Sequence, residues 1–277
     1  MLFLVPALPG CSAILANAVR ASRVEQRSFD VPAQSAVVVE TFNGEIHVAA
    51  AAGNKVEAKI TRIGSGADQQ AAEADLENVQ VAAGQDGKTV RIIARRTGSK
   101  LFGSSGANID LKVPPDASLK LTTSNGEIVS AGVQGDIAAR SSNGQLEAAG
   151  ARGKVDLETT NGAIRVDAIG AVVSAQSTNG NVTFAGSLGK GSHRLSTSNG
   201  SIRLELPSSA PFRFDADTSN GSVRSGFPGL QTNGGKPGSN RWSASAGSGS
   251  DVDVHLETSN GSITIEPLQP AEAPAAR

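Results

Sequence analysis

The chain has 277 residues, 38% hydrophobic and 3% aromatic with no Tyr, so any core must be aliphatic and rich in small side chains. A formal net charge of −1 supplies no global field to recruit nucleic acid or an acidic membrane. A single Cys excludes an intrachain disulfide, and 32 Gly without an every-third-residue period exclude a collagen-like chain.

Residues 1–11 form an apolar run that ends in Leu8-Pro9-Gly10-Cys11. The run resembles the end of a bacterial lipoprotein signal peptide, in which a Leu-x-Gly-Cys box is cut before a Cys that is then lipidated. The resemblance implies a soluble domain anchored to a membrane surface through Cys11. No other segment approaches the roughly 20 apolar residues of a membrane-spanning helix. Residues 12–27, with Arg20, Arg23 and Arg27, read as a tether.

From Phe29 a period-2 pattern begins: Val37, Val39 and Thr41 alternate with Val38 and Glu40, and Ile46 and Val48 resume it after Asn43-Gly44. Val56, Ala58 and Ile60 mark another strand. Residues 67–79 break the alternation, because Ala71, Ala72, Leu76 and Val79 fall at helical spacing in a run without Gly or Pro. This helix belongs to an insertion over about residues 64–107. Ile109, Leu111 and Val113 form a strand that Pro114-Pro115 ends.

From Asp116 one motif recurs. Thr/Ser-x-Asn-Gly places Asn at 125, 143, 161 and 179, 18 residues apart, and then at 199, 220 and 260; Asn43 stands in an early copy. Two before each Asn is Thr or Ser. Apolar residues recur four and six before it, as in Leu157 and Val155, and two after the Gly, as in Ile164. Each copy therefore supplies two short strands with one buried face.

Two architectures fit this pattern. Asn-Gly between alternating strands is a strong hairpin signal and would give an antiparallel meander. A parallel β-helix or β-solenoid instead stacks 18–21-residue coils about 4.8 Å apart. Equal spacing and identical turns favour the solenoid, because stacking sets each Asn above the next and allows an amide ladder. The inner Thr/Ser column is expected to ladder in the same way, and each Gly to supply a positive φ at the corner. The expected fold is all-β, one solenoid domain over residues 28–266 with a single short helix near its N-terminal end. Residues 226–250 are expected to fill one irregular coil, and residues 267–277 to form a disordered tail.

The repeat, with the lead-in Val113-Pro114-Pro115-Asp116-Ala117-Ser118-Leu119, resembles the bacterial "putative adhesin" domain family of unknown function. The resemblance covers about residues 28–266. It implies a surface-exposed, non-enzymatic β-solenoid, often tethered, and carries over no catalytic residues.

Chemistry is sparse in the sequence itself. His47 and His255 fall on outward columns of the first and last copies, and His193 falls on an inward column, where a core His is expected. No His pair has metal-ligand spacing, and no cofactor is expected. Arg165, Arg203 and Arg224 share one outward column and are candidate contacts for an anionic glycan. Few aromatic residues are available to stack on sugars or single-stranded nucleic acid. The expectation is a non-catalytic, adhesin-like lipoprotein of the bacterial envelope, periplasmic or surface-exposed, that presents a polar face to an envelope or surface macromolecule. The alternatives are a carbohydrate-active β-helix enzyme acting on anionic polysaccharide and an envelope scaffold linked to signalling.

Overall fold

The computed structural model describes residues 19–98, 105–247 and 251–268. The signal-like segment with Cys11, and the tail beyond residue 268, lie outside the described residues. The fold is an all-β solenoid, with one short helix among the described residues. Two sheets face each other across the main apolar core, and two smaller apolar clusters lie apart from it. We name them for the Asn-Gly corner that joins them: strands run into the corner on the entry sheet and leave it on the exit sheet.

The N-terminal part comprises β1 (Val19–Asp30), β2 (Ala36–Thr41), β3 (Ile46–Ala50), β4 (Lys55–Gly66), α1 (Gln69–Glu77), β5 (Val79–Asp86), β6 (Thr89–Arg96) and β7 (Gly106–Val113). Over residues 19–27 the expected tether is instead the start of β1, which pairs antiparallel with β4 along its whole length. The sequence disguises this strand, because Arg20, Arg23 and Arg27 interrupt the alternation. Ala21 nonetheless buries against Ala72 and Leu76 of the helix, and Glu25 accepts from Arg62 at 2.8 Å. Asp68 caps α1 by accepting from the Ala71 amide at 2.8 Å. Buried Asp75 ties the helix down, accepting from Arg96 at 2.5 Å and from the Ser65 amide at 2.9 Å.

The regular coils follow: β8 (Ser118–Asn125) with β9 (Ile128–Ala131), then β10 (Ile137–Asn143) with β11 (Leu146–Ala151), then β12 (Lys154–Asn161). The long β13 (Ile164–Asn179) leaves one corner on the exit sheet and enters the next corner on the entry sheet. β14 (Val182–Leu188), β15 (Gly191–Asn199) and β16 (Ile202–Leu206) continue the stack. All neighbours among these coils are parallel, with register shifts only at Ala149–Ala151 and Ile169–Ala171, so Leu119, Ile137, Val155 and Val173 form one inward column and Ile128, Leu146, Ile164 and Val182 another. Every member of both columns is buried.

The last part comprises β17 (Phe212–Asn220), β18 (Val223–Ser225), β19 (Gln231–Gly235), β20 (Arg241–Ala246), β21 (Val252–Asn260) and β22 (Ile263–Pro267). Here the stack departs from chain order. β21 pairs with both β15 and β17, and β22 with both β16 and β18, so the final coil lies between two coils that precede it. The same exchange occurs at the other end, where β2 lies between β6 and β8, and β3 between β7 and β9. The stretch 226–250 is also not the irregular coil expected. Its described part holds the antiparallel pair β19–β20, and β20 adds antiparallel to β17. Bulk explains the placement: Phe214 packs edge-on against Trp242 at 5.2 Å, and Phe212 against Phe227 at 5.0 Å. An aromatic cluster therefore closes this end of a core that is elsewhere mostly aliphatic, with Phe184 buried among the regular coils.

Candidate interaction face

Two kinds of side-chain bond build the regular Asn-Gly corners. Asn161 Nδ2 donates to Asn143 Oδ1 at 2.8 Å, and Asn143 donates likewise to Asn125. Asn179, Asn199, Asn260 and Asn220 extend the row in that spatial order, each at 2.8 or 2.9 Å. Asn43 stands apart, because its amide donates to the Ser105 carbonyl. The inner hydroxyls do not ladder with one another, as the sequence had suggested. Thr159 Oγ1 donates instead to the Gly144 carbonyl at 3.0 Å, and Ser177 to that of Gly162 at 2.9 Å. Each hydroxyl thus satisfies a part-buried backbone acceptor of the adjacent coil.

The reason for the Gly also differs from the expectation. Positive φ occurs at Gly126, Gly180 and Gly261 but not at Gly162. What these corners share is close approach: a Cβ on Gly162 would stand 2.0 Å from the Gly144 carbonyl oxygen. The opposite edge of the stack uses glycine for its torsion, as at Gly150 and Gly170, with φ of 73° and 69°. The sequence reading missed this second corner. Its signal was the 18-residue step from Gly132 to Gly150.

With the corners committed to folding, the outward columns remain. On the exit sheet one row reads Asp110, His47, Val129, Glu147, Arg165, Thr183, Arg203, Thr264, Arg224 in spatial order. The inserted last coil puts Thr264 between Arg203 and Arg224. The three candidate Arg therefore recur on alternate strands, roughly 10 Å apart. The adjacent row carries Ala49, Ala131 and Ala149 at one end and Asp167, Glu205 and Glu266 at the other.

These carboxylates change the character of the Arg row. Arg203 bridges Glu205 and Glu266, at 2.5 Å to each, and Arg165 lies 3.5 Å from Asp167. Hydrogen bonding to Glu205, followed by the charges of Glu205 and Glu266, raises the Arg203 pKa above its ordinary value despite slight desolvation. The row is consequently zwitterionic at Arg165 and Arg203. Among the described residues Arg224 has no ion-pair partner.

At the other end of the same face lies a groove of about 780 Å³ with Val129, Ala49 and Ala131 among its lining. Lys59, His47 and Asp110 stand at its side. His47 Nδ1 is 3.5 Å from Asp110 Oδ1, and Lys59 Nζ is 3.6 Å from Oδ2. All three are about half exposed, so solvent screens the pairs. No hydroxyl or thiol lines the groove beside this His except that of Ser28. His255 lies on the entry sheet, in register with Arg194 and Asp215. His193 is buried, as its inward column predicted. Among the described residues no group of three or more His, Cys, Asp or Glu could hold a metal ion. No helix of the described residues is long and apolar enough to cross a membrane.

A family model described as Toastrack DUF4097 matches residues 104–266. Comparison with curated proteins finds no match. Among solved structures, the chain is similar to a "putative cell adhesion protein" from Clostridium sporogenes, with 12% identity, 89% of this chain and 100% of that one covered, and a TM-score of 0.43. A "putative adhesin" from Bacteroides fragilis shares 13% identity over 89% of this chain and 97% of its own, with a TM-score of 0.40. A "putative lipid binding protein" from Parabacteroides distasonis shares 11% over 89% and 97%, with a TM-score of 0.39.

Proposed function

Since the chain belongs to the Toastrack DUF4097 family, whose function is unknown, we propose that it is a non-catalytic, adhesin-like protein of the bacterial envelope. In this reading the outer face of the exit sheet contacts another macromolecule. One observation carries it: a single continuous face combines the groove beside Val129, Ala49 and Ala131 with Arg165, Arg203 and Arg224 on alternate strands. Stacked coils hold these side chains at fixed spacing, which lowers the ordering cost of contacting a long, repetitive ligand. Paired Arg and carboxylate groups offer donors and acceptors side by side, suited to the hydroxyls and carboxylates of a glycan. Lipidation of Cys11 would tether the domain to a membrane.

A panel of immobilised neutral and uronate-containing polysaccharides tests this. Binding by the intact chain, reduced at least tenfold by the triple change Arg165→Ala, Arg203→Ala and Arg224→Ala, supports the reading. Binding unaffected by the triple change removes the face from it, and release of new reducing ends would replace it with the enzymatic alternative. Cys11→Ala should move the protein from the membrane fraction to the soluble fraction; unchanged fractionation overturns the tether.

A further inference from the structure

The two sheets have four edges, and three of them are interrupted or tied. β18 is three residues long, and Val223 exchanges bonds with the loop, its amide donating to the Ser239 carbonyl and its carbonyl accepting from the Gly238 amide, both at 2.8 Å. β19 is short and shifts register between Thr232 and Gly234. β5 contains Gly84 and is tied at its two ends, where the Val79 carbonyl accepts from Arg62 and the Gln85 amide donates to the Asp30 carbonyl.

β1 differs in length and regularity, although its Gln26 carbonyl accepts from the Arg27 side chain at 3.1 Å. It runs for 12 residues without Gly, Pro or register shift, and among the described residues it pairs only with β4. At its middle stands Val24, 53% exposed, one of three large apolar side chains that are exposed among the described residues. A long unpaired edge is a template for another strand, and charges along it decide which strand fits.

We propose that β1 pairs antiparallel with β1 of a second copy of this chain, about a two-fold axis at Val24. The sequence of the edge is self-complementary in that register. Residues 19–29 then face residues 29–19, Val24 meets Val24, Arg23 faces Glu25 and Ser22 faces Gln26. Centring the axis on Glu25 gives equal overlap but sets Glu25 against Glu25 and Arg23 against Arg27. Centring it on Arg23 sets Arg23 against itself. Like charges directly opposite are destabilising, which removes both of these registers. Centring the axis on Gln26 sets Glu25 against Arg27 but overlaps only residues 22–30, so charge and overlap together select Val24. Arg23 already bonds Glu77 and Glu25 already bonds Arg62, each at 2.8 or 2.9 Å, so the intermolecular pairs extend existing networks and mainly set register.

The axis of such a pair is perpendicular to the sheet, so the two exit sheets become one and their outer faces lie on the same side. A repetitive ligand would then meet two copies of the face, and binding would gain from effective concentration. The pairing stands whether or not that face binds glycan.

The test uses the full chain carrying Cys11→Ser, which removes the only native thiol. Sedimentation equilibrium should give twice the chain mass of 28.0 kDa, and Val24→Lys should return it to the single mass with an unchanged circular-dichroism melt. Facing Cβ atoms lie about 4.5–5.5 Å apart, so Val24→Cys alone should oxidise to a linked dimer. Ser22→Cys alone should not, whereas a mixture of Ser22→Cys and Gln26→Cys chains should. If Val24→Lys does not fold, this cysteine series decides alone. A single mass at every concentration, a dimer that survives Val24→Lys, or cross-linking of Ser22→Cys as fast as of Val24→Cys would each overturn the proposal.

Discussion

Asn260 donates from Nδ2 to Oδ1 of Asn199 at 2.9 Å across 61 residues of sequence, while Asn220, the next copy in the chain, bonds to Asn260 instead. The amide row thus records the spatial order of the coils. It also separates inner rungs from an end rung. Asn161→Ala removes both a donor and an acceptor from the row and should cost roughly 1–2 kcal/mol, whereas Asn220→Ala removes one bond and should cost about half as much. Urea denaturation of the two variants checks this; equal losses would mean that the ladder bonds contribute nothing separable.

Strand parity gives a sharper contrast. Ile164 is buried and Arg165 beside it points outward, half exposed. Ile164→Asp places an unpaired charge in the apolar core and should lower stability by at least 3 kcal/mol or abolish folding. Arg165→Asp should stay within about 1 kcal/mol of the native chain. Melting curves that reversed this order would place the inward column on the wrong face.

The two kinds of corner predict different responses to a methyl group. Gly162→Ala forces a Cβ against the Gly144 backbone, where neither side can yield without moving the coil, and should cost about 3 kcal/mol or more. Gly170→Ala meets nothing within 4 Å and bears only the left-handed torsion, about 1–2 kcal/mol. Chemical denaturation of the pair distinguishes close approach from torsion as the reason for each glycine.

His193 links stability to pH. The Val173 amide donates to its Nδ1 at 3.2 Å, so the proton resides on Nε2, which donates to the Gly189 carbonyl at 2.9 Å. Burial lowers its pKa below the ordinary 6.5, with the Gly189 bond and the charge of Asp253 opposing. The folded state therefore binds fewer protons than the unfolded state just below the ordinary value. Its contribution is complete above the unfolded pKa and lost as pH falls through the folded one. The melting temperature of the native chain should fall between about pH 7 and pH 5 by more than that of His193→Gln, which keeps an acceptor and a donor without titrating. Parallel slopes for the two proteins would assign the acid sensitivity elsewhere.

The repeat unit was legible from local pattern alone. Period-2 alternation around each Asn-Gly fixed which residues face inward, and Leu157, Ile164 and their column mates are buried as that alternation requires. Local pattern also placed α1, because Ala72 and Leu76 have helical spacing, though not the buried Asp75–Arg96 pair that fastens the helix, which depends on partners 21 residues apart. The edge strand β1 was hidden because its Arg residues mask the alternation. The order of the coils comes from long-range packing. A coil of Val and Leu columns fits equally well beside any other, so local pattern carries no information about which neighbours it takes. The coil carrying Phe212 and Phe214 takes Trp242 against its outer side, and the last coil lies on its inner side. That exchange spaces Arg203 and Arg224 across Thr264, a relationship between strands that no reading along the chain contains.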